Sequence, residues 1–251
     1  MPFAQKRKRT ISVLAHRGQN VTSPENTLLA YSKAIELDAD YIEIDVRLCA
    51  DDYLVVSHDA DLKKTADIDK KIRDLTLKQL KEIDLGQGQN VPTLEEVLQL
   101  CKNRIGIHIE IKEDGLTQDI AHLVIKHQMQ DQVIFSSFKH RELLEIKKHL
   151  PNIPTAILCP SEKYDPETIP MQEIYNNIIS KAKKYKVQGI HLEIMYIEQT
   201  IVEMAHKRGY WLNAFNVDSF FLWDACLEMG VDGIFTNNAK GLIEHLSKKQ
   251  I

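Results

Sequence analysis

Cysteine is sparse. Cys49, Cys101, Cys159 and Cys226 stand far apart, and none forms a Cys-x-x-Cys pair. That excludes a disulfide framework and points to four reduced, packed thiols in a reducing compartment, hence a cytoplasmic protein. Long apolar runs are missing as well: no stretch approaches the ~20 residues that cross a bilayer, so no stable membrane insertion is expected. Charge of one sign is not in excess, with 32 Lys and Arg against 36 Asp and Glu and a formal net charge of −4. Nothing there calls for nucleic acid or an anionic membrane as a general partner. The basic start Lys6-Arg7-Lys8-Arg9 is followed only by Ile11-Ser12-Val13-Leu14-Ala15 before polar residues resume. That is too short for the apolar core of a secretory signal, and the run reads as a solvated arm, with attraction to anionic lipid as the alternative. No low-complexity linker and no shift of composition marks a second domain.

What is present is an ordinary mixture, 43% hydrophobic and 27% charged, over 251 residues. Length and composition suit one α/β barrel, read as a single domain over 1–251. β-like runs at 11–16, 41–48, 54–58, 106–112, 133–138, 155–159, 189–193, 211–215 and 233–236 alternate with amphipathic segments such as 27–37, 94–101, 141–150 and 201–208. Such alternation predicts parallel strands covered by helices. Thr76-Leu77-Lys78-Gln79 and Thr93-Leu94-Glu95-Glu96 fit the capping box, and Pro151 ends the helix before it.

Nine runs are one too many for eight strands. Only 49–53 separates the second run from the third, and a parallel crossover needs about a dozen residues or more. Those two runs therefore form a hairpin, leaving eight βα units and a (β/α)8 TIM barrel with a small insertion, about 60–91, on the hairpin's return. With Leu48 opposite Tyr53, His58 falls opposite Glu43.

In such barrels chemistry gathers where the strands end. The first run ends in His16-Arg17-Gly18; the second carries Glu43 and Asp45 on one face; the hairpin returns to His58-Asp59; the next strand carries His108, Glu110 and Lys112 at alternate positions. Each alone reads as a capping or half-exposed group. Together, at a barrel mouth, unpaired charges would cost several kcal/mol each. A divalent cation resolves this, because Glu43, Asp45 and Glu110 are the oxygen ligands that Mg2+ or Ca2+ prefers. Zinc lacks its usual Cys or His spacing. Two histidines can serve as acid and base, and Arg17 with Lys112 suits a phosphate-like substrate. The spacing points to metal-assisted phosphoryl chemistry.

These residues also resemble a known family. His16-Arg17-Gly18, Pro24-Glu25-Asn26-Thr27, Glu43-Ile44-Asp45-Val46-Arg47-Leu48 with Asp51, and His58-Asp59 look like the signature of glycerophosphodiester phosphodiesterases. The likeness continues through Asp74-Leu75-Thr76, Pro92-Thr93-Leu94-Glu95-Glu96, Glu110-Ile111-Lys112 and Gly230-Val231-Asp232-Gly233-Ile234. It implies hydrolysis of glycerophosphodiesters such as glycerophosphocholine to glycerol 3-phosphate and an alcohol, with a small molecule as partner. Carried over, it makes Glu43, Asp45 and Glu110 the metal ligands, His16 and His58 the acid/base pair, and Arg17 and Lys112 the phosphate holders. Asn26 reads as a helix N-cap, and Glu25 either belongs to that turn or orients His16 or Arg17.

The departures come late. Where the family has Trp-Thr-Val-Asn, this chain has Phe215-Asn216-Val217-Asp218; the Asp after the last Thr is Asn237, and the Pro beyond it is missing. They fall where the glycerol or the leaving alcohol is expected, with Phe215 as a substrate contact. Gly189-Ile190-His191-Leu192-Glu193 echoes Gly106-Ile107-His108-Ile109-Glu110, either as barrel architecture or with Glu193 binding substrate hydroxyls. The alternatives are a lysophospholipase D using the same site, a catalytically silent phosphate-ester binding protein, and, without support, a sugar-phosphate isomerase. The run Phe220-Phe221-Leu222-Trp223 separates the first of these: exposed, it favours a lipid; buried, it is core, which is the expectation.

Overall fold

The structure, a computed structural model, describes residues 9–162, 164 and 168–250. Lys6-Arg7-Lys8 of the basic arm lies outside the described residues. Eleven strands are described: β1 (Ser12–Ala15), β2 (Tyr41–Leu48), β3 (Leu54–Val56), β4 (Asp61–Leu62), β5 (Ile68–Lys71), β6 (Gly106–Ile111), β7 (Val133–Ser137), β8 (Thr155–Cys159), β9 (Gly189–Glu193), β10 (Trp211–Phe215) and β11 (Gly233–Thr236). Eight of them pair in parallel in the order β1, β2, β6, β7, β8, β9, β10, β11 and back to β1, closing the barrel. The helices are α1 (Leu28–Glu36), α2 (Lys63–Ala66), α3 (Leu77–Lys81), α4 (Leu94–Cys101), α5 (Thr117–Lys126), α6 (His140–His149), α7 (Met171–Lys184), α8 (Gln199–His206), α9 (Phe220–Met229) and α10 (Ala239–Lys249).

Alternation along the strands sorts the side chains. Ile42, Ile44 and Val46 of β2 and Ile107, Ile109 and Ile111 of β6 join the core that also takes Leu94, Val97 and Ile120 from the helices. Each such buried aliphatic stabilises the fold by about 1.5–3 kcal/mol relative to exposure. The residues between them, Glu43, Asp45, His108 and Glu110, are left to the barrel interior. Its floor is apolar and aromatic, with Leu14, Tyr41, Ile134 and Phe235 packed together. The His108 and His191 rings sit 5.0 Å apart against it. The repeated Gly-Ile-His is architectural: a Cβ on Gly106 or Gly189 would meet the Tyr41 or Trp211 ring at 2.3 and 2.0 Å.

Capping follows the sequence. Thr76 and Thr93 both make complete capping boxes. α1 differs from expectation, because Thr27, not Asn26, caps it by accepting from the Ala30 N–H. The hairpin forms, but one residue out of the expected register: Leu48 pairs with Leu54. The Cys49 N–H donates to Tyr53 O, leaving a three-residue loop closed by Asp52 at φ 61°, the left-handed residue such loops use. His58 therefore does not pair with Glu43. β3 stops at Val56, the Ser57 N–H donates to Asp45 O at 2.9 Å, and the chain turns inward from there. The inserted segment contains, besides the expected short helix α3, the small β4–β5 ladder and α2. Leu62, Ile72, Leu75 and Leu80 bury a minor core there with Cys49, Val55 and Val91.

Candidate active site

The turn that ends β1 places two functional side chains. Arg17 adopts φ 57° and Gly18 φ 85°. A Cβ on Gly18 would lie 2.7 Å from the Ala30 backbone, so only glycine lets the turn lie against α1. The Arg17 N–H donates to Glu43 Oε2 at 3.1 Å, its Nη1 donates to Glu25 Oε1 at 2.9 Å, and its Nε stands 3.7 Å from Asp45 Oδ2. Glu25 thus turns to Arg17 rather than to His16. Asn26, freed from capping, donates through Nδ2 to Asp45 Oδ2 at 2.9 Å and accepts from the Tyr31 hydroxyl at 2.7 Å.

Glu43, Asp45 and Glu110 are 5%, 1% and 7% exposed and each offers an oxygen within 4.8 Å of the others. Lys112 Nζ lies 2.8 Å from Glu110 Oε1 and 3.3 Å from Asp45 Oδ1. Burial, then the neighbouring carboxylates, push Glu43 well up; burial and Asp45 push Glu110 up to about 7. Burial works the same way on Asp45, but Lys112, His58 and Arg17 outweigh it and hold that carboxyl at about 2. Two cations do not neutralise three carboxylates, and buried Asp45 Oδ1 accepts no hydrogen bond. A hard divalent cation fits this donor set, since it compensates the surplus charge and takes up the orphaned oxygen.

Two imidazoles face the same space. His16 Nδ1 is 3.0 Å from Asn237 Oδ1; burial, then the Arg17 charge, lowers its pKa to about 4. His58 Nδ1 is 2.8 Å from Asp59 Oδ1, and burial lowers its pKa too. Arg47 holds the His58 backbone carbonyl through Nη2 at 2.6 Å while its Nη1 bonds Glu113. His16, Arg17, Glu43, His58 and Glu110 line one cavity of about 260 Å3 together with Phe138, Leu158, Phe215 and Phe235. Phe138 and Phe215 meet edge to face at 6.3 Å.

Eight of the nine residues expected at the site therefore converge. Glu193 borders a neighbouring depression with Tyr164 and Tyr196, where its Oε1 accepts from Asn216 Nδ2 at 3.0 Å. His108 belongs to the floor and not to the cavity. The contacts of Asn26, Arg47, Asp59, Asp218 and Asn237 do not follow from the sequence; the first three lie inside the quoted motifs, and that adjacency is the available signal. The last two are late departures, and they meet: Asn237 Nδ2 donates to Asp218 Oδ2 at 2.6 Å. An acid and an amide are both kept, with places exchanged, beside His16. The aromatic run divides. Trp223 is buried, its Nε1 donating to Val217 O, as expected of core. Phe220 and Phe221, on the first turn of α9, are 61% and 81% exposed, which corrects the expectation for them, because Trp223 and Cys226 already fill the space beneath.

Known proteins share both the sequence and this architecture. The model of the glycerophosphoryl diester phosphodiesterase family matches residues 16–240. A glycerophosphodiester phosphodiesterase of Caldanaerobacter subterraneus subsp. tengcongensis is 30% identical, covering 94% of this chain and 98% of that protein. One from Bacillus altitudinis is 32% identical over 90% and 94%. Among solved structures, a glycerophosphodiester phosphodiesterase from Thermotoga maritima superposes with TM-score 0.76 at 29% identity, covering 93% and 97% of the two chains. An Oleispira antarctica phosphodiesterase, solved with sn-glycerol-3-phosphate, shares the fold at TM-score 0.80 and 24% identity, covering 94% and 96%. The chain belongs to the glycerophosphoryl diester phosphodiesterase family, and it is a phosphoric diester hydrolase.

Proposed function

We propose that the protein hydrolyses small glycerophosphodiesters such as glycerophosphocholine to glycerol 3-phosphate and an alcohol, with Glu43, Asp45 and Glu110 holding Mg2+ or Ca2+. The observation that carries this reading is the buried carboxylate trio flanked by Arg17 and Lys112 on a cavity shared with two histidines. The bound cation supplies Lewis-acid polarisation of a phosphoryl oxygen. Arg17 and Lys112 donate to the non-bridging oxygens as these gain charge, Arg17 held in place by Glu25. One imidazole takes the proton of the attacking oxygen while the other delivers a proton to the departing alkoxide, so each of His16 and His58 needs a free ring nitrogen toward the cavity. Both have one: Nδ1 is tied to Asn237 or Asp59, and Nε2 has no partner among the described residues. That pairing favours catalysis over a silent binding protein. Phe215 and Phe138 cover the carbon face of the substrate, and Glu193 with Asn216 offers hydrogen bonds to hydroxyls at the rim. Four buried free thiols support a cytoplasmic setting, and no helix among the described residues is long and apolar enough to cross a membrane.

The test is release of glycerol 3-phosphate from glycerophosphocholine. Chelator should abolish it, and Mg2+ or Ca2+ should restore it; no release with either ion present would overturn the reading.

A second reading, phosphodiester cleavage in lysophospholipids, is favoured by one observation. Phe138, Met195, Phe220 and Phe221 are exposed on the segments that follow the carboxyl ends of β7, β9 and β10, and Phe138 lines the cavity. Release of choline from lysophosphatidylcholine, compared with glycerophosphocholine, decides between the two. A preference for the lipid that disappears in Phe220→Ser/Phe221→Ser supports the second reading.

A further inference from the structure

The hydrogen bonds behind His16 have only one consistent direction. The Asp218 carboxylate can only accept, and three donors address it: the Asn237 N–H at 2.7 Å, the Thr236 hydroxyl at 3.0 Å and Asn237 Nδ2 at 2.6 Å. The Asn237 amide group therefore points its NH2 at Asp218 and its carbonyl away. A second lock gives the same answer. Asn20 Nδ2 donates to the His16 backbone carbonyl at 2.9 Å, which again can only accept, and to Asn237 Oδ1 at 2.7 Å. The oxygen that faces His16 Nδ1 at 3.0 Å is thus an acceptor with no proton to give. Nδ1 must carry the hydrogen, and in the neutral ring the lone pair is then on Nε2.

We propose that Asn237, held by Asp218, is a positioning residue that fixes His16 as its Nδ1–H tautomer and makes Nε2 the atom that exchanges a proton with substrate. The amide does for His16 what a carboxylate, Asp59, does for His58, but without placing a charge against the ring. The charge stands one hydrogen bond further out, on Asp218, where it orients the amide. The tautomer is therefore held by the direction of a chain of hydrogen bonds, Asp218 to Asn237 to His16, and the chain fails if either outer member loses its sense. Neither Asn237 nor Asp218 needs to touch substrate for this.

The inference rests on His16 being a proton-transfer group of the hydrolase, and its first test needs no substrate. Nitrogen NMR of the histidine rings at neutral pH should show His16 protonated on Nδ1 and bare on Nε2; a proton on Nε2 overturns the proposal whatever the activity. Asn237→Leu keeps the volume and removes the acceptor. It should shift His16 toward a mixture of tautomers and lower kcat by about 10- to 100-fold, in keeping with the larger loss known when a catalytic histidine is left in the wrong tautomer. KM and the thermal midpoint should stay close to wild type. A kcat within twofold of wild type overturns the proposal. The exchange Asp218→Asn/Asn237→Asp keeps an acceptor at Nδ1 and a donor behind it, so it should return both the ring-nitrogen pattern and most of kcat. Single Asn237→Asp sets two carboxylates against each other and should not. If Asn237→Leu fails to fold, the exchange decides alone: a folded double variant still lacking more than 90% of kcat overturns the assignment. A normal tautomer in a His16-independent enzyme would instead count against the acid/base reading on which the inference rests.

Discussion

Lys112 Nζ lies 2.8 Å from Glu110 Oε1, and both side chains stand largely withdrawn from water just where β6 ends. The same ammonium is 3.3 Å from Asp45. Lys112 is the nearest counter-charge for two of the three carboxylates; under the proposed function, a cation on those carboxylates would release it to face the phosphate.

Lys112→Met tests the two roles separately. With Mg2+ or Ca2+ bound, the variant should fold normally and lose roughly 2–4 kcal/mol of transition-state stabilisation, read mainly in kcat. In chelator its thermal midpoint should drop further than that of the wild type, because the carboxylates lose their adjacent ammonium. A collapsed midpoint with metal present and only a modest kinetic loss would show that Lys112 serves the carboxylates alone.

Metal binding should be measurable without turnover. Titration calorimetry should give one divalent site, and the added ion should raise the thermal midpoint, because it binds the folded trio and not the unfolded chain. Asp45→Asn should weaken that binding. Asn26→Ala, which removes one hydrogen bond to Asp45 Oδ2, should weaken it less. Unchanged affinity in Asp45→Asn would remove the trio from the metal assignment.

His16→Ala and His58→Ala should each lower kcat by ~10²–10⁴-fold, the usual worth of a general acid or base. Metal affinity should survive, because neither ring is needed as a ligand. Near-normal kcat in both variants would return the histidines to a supporting role.

Acid should destabilise the metal-loaded protein. Burial, with Arg17, lowers His16 to about 4, burial lowers His191 to about 3, and burial holds His108 well below 6.5. Unfolded histidines titrate near 6.5, so between pH 6.5 and about 4 the unfolded chain binds more protons and stability falls as pH falls. Glu110 at about 7 and Glu43, also raised, have the opposite sign: in the metal-free protein their contribution is fully present below the unfolded carboxyl value of 4.5 and is lost as pH rises through 7. Thermal midpoints from pH 7 to 4.5 should therefore fall more steeply with metal than with chelator. Parallel curves would argue that the trio is not protonated in the metal-free protein.

The exposed aromatics and the hairpin show what local pattern could and could not reveal. Helix starts at Thr76 and Thr93 were readable because a capping box is contained in four consecutive residues. The hairpin was readable because five residues cannot make a crossover, yet its register depended on Asp52 taking a left-handed conformation, which composition did not announce. For Phe220 and Phe221, hydrophobicity suggested burial, but Trp223 had already filled the core beneath that turn.

The sequence by itself determined the barrel, since alternation with periods of two and 3.6 leaves few ways to bury every apolar face, and it determined the residues that collect at its mouth, since strand ends carry the polar positions. Glu43, Asp45, Glu110 and Lys112 were legible because strand spacing puts them on one face, and His16, Arg17 and His58 because they follow strand ends. Only the tertiary structure decided what supports them: Glu25 on Arg17, Asn26 on Asp45, Asp59 on His58, and Asn237 with Asp218 on His16. His16 and Asn237 are joined only because β1 and β11 are neighbours when the barrel closes. A hydrogen bond depends on tenths of an ångström and on the direction of a donor, and those are properties of the closed barrel, which no short window of sequence contains.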